Sequence, residues 1–333
     1  EAGDALTDTT AADGTVAIGK SALSALTSGV GNVAVGFTAG YSLSTGERNT
    51  ILGHEALLYG STETDDNVAI GYNAMAGNFS TNEVNDCVVI GSGAGAATLA
   101  AAASGSVFIG RAAGRGNTAG ERNLAIGYQA FTTSTTGSDD CVAIGYNSQG
   151  GNQTTAGNSN NVSVGNNTMD ANMTGAESNT AVGTSSMSGL INGDNNTCVG
   201  AASGQVLSTG GNNTIIGFAA GDEFAGDSYN TLIGSGSGTH ATFSSYNVAV
   251  GSDTLAGAVV EDGQVAIGFS ALTALTSGAG NTAVGYQSGD ALTTGQMNTM
   301  VGSGALGASV DGSYNAAFGF ESFKDFEGGS DAG

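Results

Sequence analysis

A short pattern of polar and apolar residues recurs along almost the whole chain: Asn, a β-branched residue, a small or apolar residue, an aliphatic residue and Gly. Residues 32–36, Asn-Val-Ala-Val-Gly, are one copy, and residues 67–71 and 281–285 are two others. The alternation of side chains with period two predicts a short β-strand. Because Gly adopts positive φ freely, the closing glycine marks the turn that ends the strand.

The closing glycine appears eighteen times, and eleven of the seventeen intervals between copies are 17 residues long. The other intervals are 18, 19 or 20 residues, and from Gly183 onward every interval is 17. A fixed period of this length indicates a solenoid in which each repeat forms one coil. The glycines lie at positions 19, 36, 53, 71, 91, 110, 127, 145, 165, 183, 200, 217, 234, 251, 268, 285, 302 and 319.

Positions in each coil are counted from the closing glycine, position 0, and a column is the set of residues at one position in successive coils. Position −4 is Asn in thirteen of eighteen coils, and position +3 is always Ala, Ser or Thr. Position +4 is either large, as in Leu23, or Gly, as in Gly40. Asn tolerates the left-handed region, and stacked asparagines form amide ladders, so position −4 is predicted to be a corner with such a ladder.

These columns predict an all-β protein, a parallel β-solenoid (β-roll) of about 18 coils with a second short strand in each coil, around residues 37–39 in the second coil. At the usual strand spacing the coils would form a rod about 85 Å long. Position −3, which holds Val33 and Thr214, is expected to face inward. The small residues at position +3 suggest a face that another chain approaches closely, giving a side-by-side homotrimer. Alternatively, they pack inside their own coil.

Composition supports an ordered, unusual chain. It contains 58 Gly, no Pro and no Trp, and only 11% of its residues are charged. The absence of Pro fits a stack in which each coil donates backbone N–H groups to its neighbour. With 29 acidic and 6 basic residues the net charge is −23. This charge opposes binding to nucleic acid, and no apolar run is long enough for membrane insertion.

The residue types that carry chemistry are sparse. His54 and His240 are the two histidines, lie eleven coils apart and are predicted to be surface residues. Asp139 and Asp140 are adjacent, but neighbours on a strand point to opposite faces, so they do not form a catalytic pair. We expect no enzyme, no catalytic residues, no metal site and no cofactor. The glycine-rich runs 91–95 and 234–238 are predicted to be turns rather than phosphate loops.

The three cysteines match no zinc or CxxC spacing. Cys87 and Cys141 occupy the column that usually holds Asn, and Cys198 lies within a strand. All three are predicted to be buried small residues. In a three-chain bundle Cys87 is also a candidate to face its symmetry mates.

Two features could form a binding face. Loops lengthened by one to three residues are often the binding side of a solenoid, and here they fall at 61–66, 78–86, 98–105, 132–140 and 150–160. Neutral drift in loop length explains them equally well. Aromatic residues at position +1 could bind sugars, cap the coil or pack between chains. They are Phe37, Tyr72, Tyr128, Tyr146, Phe218, Phe269, Tyr286 and Phe320.

The string Asn-x-Val-Ala-Ile-Gly-x-x-Ala/Ser resembles the head repeat of trimeric autotransporter adhesins of the YadA type, as in residues 67–74, 142–148 and 265–271. The longer unit, best seen in residues 280–289, is similar to repeats of bacteriophage tail fibres. The resemblance spans roughly residues 14–320. It implies a left-handed parallel β-roll in which three chains pack side by side.

The resemblance implies a structural fibre protein of a virion, a bacteriophage tail fibre acting as a rigid rod in host attachment. The alternative is a bacterial surface adhesin head or an extracellular filament subunit. Either role is extracellular, with other fibre or virion subunits at the ends and a host glycan or protein as a partner. We expect a connecting segment at residues 1–13, the solenoid at 14–320 and a tail at 321–333.

Overall fold

The structure is a computed structural model that describes residues 13–60, 64–78, 84–96, 104–134, 137–153, 157–223, 225–240, 244–257 and 261–325. All regular elements within these ranges are β-strands. The chain divides into two compact units, residues 1–176 and 177–333. Parts of the predicted lengthened loops, and most of the predicted terminal segments, lie outside the described residues.

In the first unit, nine three-residue strands pair in parallel and in register, each with the strand of the next coil. Two further strands, β8 and β10, lie in lengthened loops and form a separate parallel pair. The strands are β1 (Val16–Ile18), β2 (Val33–Val35), β3 (Thr50–Leu52), β4 (Val68–Ile70), β5 (Val88–Ile90), β6 (Val107–Ile109), β7 (Leu124–Ile126), β8 (Thr133–Ser134), β9 (Val142–Ile144), β10 (Asn152–Gln153) and β11 (Val162–Val164).

The second unit repeats this arrangement with nine strands at 17-residue steps, again parallel and in register. The prediction of a parallel β-solenoid with a repeat of about 17 residues is therefore confirmed in both units, and each repeat contributes one three-residue strand to the sheet. The strands are β12 (Thr180–Val182), β13 (Thr197–Val199), β14 (Thr214–Ile216), β15 (Thr231–Ile233), β16 (Val248–Val250), β17 (Val265–Ile267), β18 (Thr282–Val284), β19 (Thr299–Val301) and β20 (Ala316–Phe318).

The side chains of each strand point to the sides opposite to those predicted. Ala34, at position −2, is fully buried, whereas Val33, at position −3, is 37% exposed. The same orientation, with only the middle residue buried inside the coil, recurs along both units. The coil interior is narrow and also receives the side chains of positions +3 and +4, so each strand contributes one inward residue. The prediction that position −3 faces inward is wrong.

The prediction of a second strand is also wrong, because the residues after the closing glycine adopt a partly left-handed backbone conformation. Positions +2 and +4 have φ between 45° and 65° in all eighteen coils. Alternation of left-handed residues sends successive N–H groups in opposite directions along the stack. The N–H of Thr38 donates to Lys20 O of the preceding coil, and that of Gly40 donates to Ala56 O of the following coil, both at 3.0 Å. The stack thus keeps its hydrogen bonds through positions +2 to +4, which we call the left-handed leg of each coil and which contain no strand.

The small residues at position +3 pack within their own coil. They are completely buried in every coil except the last, and Ala39, Ser186 and Ala271 are examples. Burial inside the coil leaves this column no surface that a second chain could contact. The alternative interpretation of the column is therefore confirmed, and any contact between chains has to use another face.

The interior is filled by a compensation between positions −2 and +4. Phe108 is paired with Gly114 in its coil, whereas the next coil pairs Ala125 with Phe131. A Cβ on Gly114 would lie 2.4 Å from the Phe108 ring. In this coil the Phe108 ring therefore excludes a side chain at position +4, whereas the coils with Ile51 and Leu57 and with Met300 and Leu306 hold two large buried residues.

Where both positions are small, the neighbouring coils fill the space. The coil that closes at Gly36 has Ala34 and Gly40, and a Cβ on Gly40 would lie 2.8 Å from Leu23 Cδ2 and 2.9 Å from Ile51 Cδ1. Leu23 and Ile51 belong to the coils before and after. The volume of the core is thus balanced over adjacent coils as well as within one coil.

Position −4 forms the predicted amide ladder. Asn196 Nδ2 donates to Asn179 Oδ1 (3.1 Å) and to Gly210 O (2.8 Å), while Asn196 Oδ1 accepts from the backbone N–H (3.0 Å) and Nδ2 (2.9 Å) of Asn213. The left-handed residue is the one before Asn, such as Asn195 with φ 58°, so the corner falls one residue earlier than predicted. The buried amide of Asn196 is thus satisfied by the coils on both sides.

Replacing Asn196 with Leu is expected to lower the free energy of unfolding by roughly 2–4 kcal/mol, because it leaves the Asn213 N–H and Gly210 O buried without partners. Chemical denaturation followed by circular dichroism measures the loss. Asn192→Leu is the matched control, since Asn192 is exposed, and it should cost less than about 0.5 kcal/mol. Equal losses in the two variants would contradict a structural role for the ladder.

Candidate functional surface

The outer face of the strands, which we call the strand face, is uncharged; position −1 is apolar in every coil, and position −3 is Thr in seven coils and apolar in the others. It consists of positions −3 and −1, and none of these 36 residues is charged. Along both units they are exposed or half-buried, as in Ile18 (58% exposed) and Leu52 (47%). Parallel sheets normally have both faces covered. Here the coil interior covers one face, while the described residues of each unit leave the other face open.

The predicted aromatic residues at position +1 form short stacks. His54 lies between Phe37 and Tyr72, with ring centroids 5.0 and 5.5 Å apart. Tyr128 and Tyr146 are 5.7 Å apart with parallel rings. All eight predicted aromatics are exposed, so they do not cap the coil interior. Sugar binding and packing between chains are the two predicted roles that remain for these residues.

The histidines and cysteines lie where the sequence predicts. His54 and His240 are surface residues. The three cysteines are buried, and burial raises the pKa of Cys87 to about 11 and of Cys141 to about 12. Cys87 is 1% exposed within its own coil, so the suggestion that it faces symmetry mates is wrong. The thiols stay protonated at neutral pH and act as small buried residues.

Asp139 and Asp140 both have structural contacts. Asp139 Oδ1 accepts the backbone N–H of Glu121 at 2.8 Å. Asp140 binds Nε and Nη2 of Arg122 at 2.7 and 2.9 Å, and this contact holds the pKa of Asp140 below its ordinary value. In the part of the chain that the structure describes, no three His, Cys, Asp or Glu residues come together as a metal site would need. None of the described residues forms a helix that could span a membrane.

A groove of about 750 Å³ opens in the first unit. Its lining includes the polar side chains of Asn73, Arg115, Gln129, Thr132 and Asn147. A smaller adjoining hollow adds Tyr72 and Arg111 and shares Asn73 and Arg115 with it. The two hollows form one continuous surface, which we call the arginine groove.

The arginine groove exists because small residues stand between the long ones. Ala96, Gly116 and Gly150 also line it, and a Cβ on Gly93, in the adjoining hollow, would meet nothing within 4 Å. Thr132 and Gly150 are also the first residues of two lengthened loops. The sequence prediction of a binding face at these loops gave no indication of Asn73, Arg111 or Arg115.

The glycine-rich runs are turns, as predicted. In the second unit a corresponding hollow of about 360 Å³ lies at the same coil positions, but its lining is acidic. It contains Asp290, Glu321 and Asp325, and its single cation, Lys324, is 2.8 Å from Glu321. The arginine groove and this hollow of the second unit therefore differ in charge, although both lie at the same positions of the repeat.

No family model, curated protein or solved structure matches this chain. The resemblance to adhesin heads and phage fibres therefore stays an expectation from the repeat motif. The strand face and the arginine groove are the surfaces from which a function can be derived.

Proposed function

We propose that this chain is a structural fibre protein of a virion, a bacteriophage tail fibre that acts as a rigid rod in host attachment. The observation that carries the proposal is the uncharged and largely apolar strand face of each unit. A chain with net charge −23 repels its own copies, yet this face has no charge to oppose contact. A second copy presents the same face, and packing the two together covers the open side of both sheets.

The assembly we propose is a homotrimer built through the strand face. Three identical apolar faces around one axis form a closed arrangement, as symmetric homo-oligomers do. The β-branched residues at positions −3 and −1 lose little side-chain entropy when packed, because their rotamers are already restricted. The resemblance to trimeric adhesin heads supports three chains rather than two.

The mechanism is mechanical rather than catalytic. In-register strand pairing and the hydrogen bonds of the left-handed leg resist bending and proteolysis within each unit. Several copies of a fibre on one particle gain avidity from individually weak contacts. A bacterial surface adhesin head or filament subunit uses the same properties, and an electron micrograph of the native particle separates these extracellular roles.

Replacing Ile216 and Ile233 together with Lys is expected to convert the trimer to monomers. Both residues are at position −1, and burying an unpaired ammonium against an apolar face is costly, so the dissociation constant should rise at least about a hundredfold. Sedimentation velocity measures the mass, and circular dichroism checks that the fold is retained.

Ile191→Lys is the matched control, because Ile191 is 41% exposed but lies outside the strand face. This variant should remain trimeric. A monomeric wild-type chain, or a trimer that survives Ile216→Lys/Ile233→Lys, would contradict the proposed assembly. A wild-type dimer would retain the interface and reject the three-chain arrangement.

A further inference from the structure

We propose that the arginine groove binds an acidic saccharide, a sugar chain whose units carry carboxylates. The proposal deepens the attachment role and takes its biological meaning from it. It starts from an imbalance of charge: the chain has 29 acidic and 6 basic residues, yet both charged residues that line the groove, Arg111 and Arg115, are basic.

The other four basic side chains are engaged elsewhere. Arg48 and Arg122 each bind two carboxylates, Lys324 binds Glu321, and Lys20 lies over the Phe37 ring. Arg115, in contrast, is exposed, and its side chain forms no hydrogen bond or ion pair with any described residue. An exposed Arg at a groove in an acidic protein, with no carboxylate of the described residues bound to it, is available for an external anion.

Arg111 is held in place by an aromatic neighbour. Its Nη1 donates to Tyr128 Oη at 2.9 Å, and its guanidinium lies 5.3 Å from the centre of the Tyr128 ring. This contact fixes the side chain and leaves its charge unneutralised. The fork of N–H donors in a guanidinium matches the two oxygens of a carboxylate, which favours a carboxylate ligand over a hydroxyl.

The rest of the groove matches a sugar rather than a simple anion. Asn73 and Gln129 have side-chain amides without a partner among the described residues, and an amide both donates and accepts, as pairs of sugar hydroxyls do. The Asn147 amide is oriented by Asn167 and Asp170 at 3.2 Å. Tyr72 is 54% exposed and offers a ring face to the apolar side of a sugar ring.

The groove and the proposed trimer contact do not compete. None of the groove residues belongs to positions −3 or −1. The lining comes from positions +1, +2, +5 and +6, beyond the glycine corner that ends each strand. Association through the strand face therefore leaves the groove available, and successive side chains along it are spaced by coils about 4.7–4.9 Å apart.

The test is a titration of the full chain with trigalacturonic acid at low salt, by calorimetry or saturation-transfer NMR. Arg115→Gln should weaken binding about tenfold or more, because a charge-assisted hydrogen-bond pair is lost. Arg115→Lys keeps the charge but loses the fork of N–H donors, so its affinity should lie between those of the wild type and Arg115→Gln. Arg122→Gln makes the same change in net charge on the same unit and should stay within about twofold of wild type.

Two further probes separate a sugar site from a general anion site. Maltotriose lacks carboxylates and should bind at least about tenfold more weakly than trigalacturonic acid. A triglutamate peptide carries the carboxylates without the sugar and should also bind more weakly. Equal binding of triglutamate, equal losses in Arg115→Gln and Arg122→Gln, or no binding of trigalacturonic acid would each overturn the proposal.

Sedimentation of the same samples keeps this outcome apart from that of the fibre proposal. Arg115→Gln should remain a trimer because it does not touch the strand face. Absence of sugar binding by a trimeric chain counts against the groove alone. A monomeric chain that binds trigalacturonic acid counts against the fibre assembly alone.

Discussion

Phe108→Ala combined with Gly114→Leu is expected to be far more stable than the sum of the single changes predicts. Phe108→Ala alone should cost about 3–5 kcal/mol, because it empties a fully buried site. Gly114→Leu alone should cost about 1–3 kcal/mol or more, because its Cβ would lie 2.4 Å from the Phe108 ring. Together they place a small residue at −2 and a large one at +4, as the coil with Ala69 and Met75 has naturally.

The double variant should therefore lose less than about 2 kcal/mol, which corresponds to a favourable coupling of roughly 3 kcal/mol. The backbone accepts Leu at position +4, since Leu23 and Leu57 have φ of 49° and 46° in the same column. Urea denaturation of the wild type, both single variants and the double variant completes the cycle. Additive losses would show that the two positions do not share one volume.

Gly200→Ala is expected to cost on the order of 4 kcal/mol, among the largest effects of any single methyl group in this chain. Gly200 has φ +139°, and a Cβ there would lie 2.2 Å from Gly217 O of the next coil. Backbone strain and a clash with another backbone act together, and neither relaxes unless two coils separate. The shift in the denaturation midpoint of the second unit measures the loss.

Gly263→Ala is the control for a glycine outside this column. Gly263 also has a positive φ, +78°, but a Cβ there would meet nothing within 4 Å. Its position, −5, holds Tyr229 and Tyr246 at φ 62° in the two preceding coils, so a side chain is tolerated. Its loss should be below about 1 kcal/mol. If Gly263→Ala were as costly as Gly200→Ala, contact between coils would not explain the glycine column.

The sequence predicted the coil period, the strand positions and the amide ladder, because each depends on residues that recur at fixed spacing. The prediction of which face of each strand is buried inside the coil was wrong. An alternation with period two specifies two faces but does not say which is buried, and the aliphatic pair Val33 and Val35 suggested the wrong one. The narrow interior, which only the folded coil reveals, decides in favour of Ala34.

The left-handed leg had weak signals in the sequence. Position +2 holds Thr38, Glu55, Gln129 and other residues that rarely adopt positive φ, so residue type alone does not indicate the conformation. The compensation between positions −2 and +4 could have been found, since Phe108 with Gly114 and Ala125 with Phe131 are visible in the printed sequence. The arginine groove could not, because it depends on small residues that leave space between longer ones in neighbouring coils.

The glycine column has a consequence for how such a chain changes over time. In the second unit, a Cβ on any closing glycine from Gly183 to Gly302 would clash with the backbone of the coil that follows it. Because each repeat contacts only its nearest neighbours, whole repeats can be gained or lost as units. Gain or loss of one whole 17-residue segment in the second unit keeps the glycine, amide and strand columns in register, so length can evolve in discrete steps, whereas an insertion of a few residues would break all three columns at once.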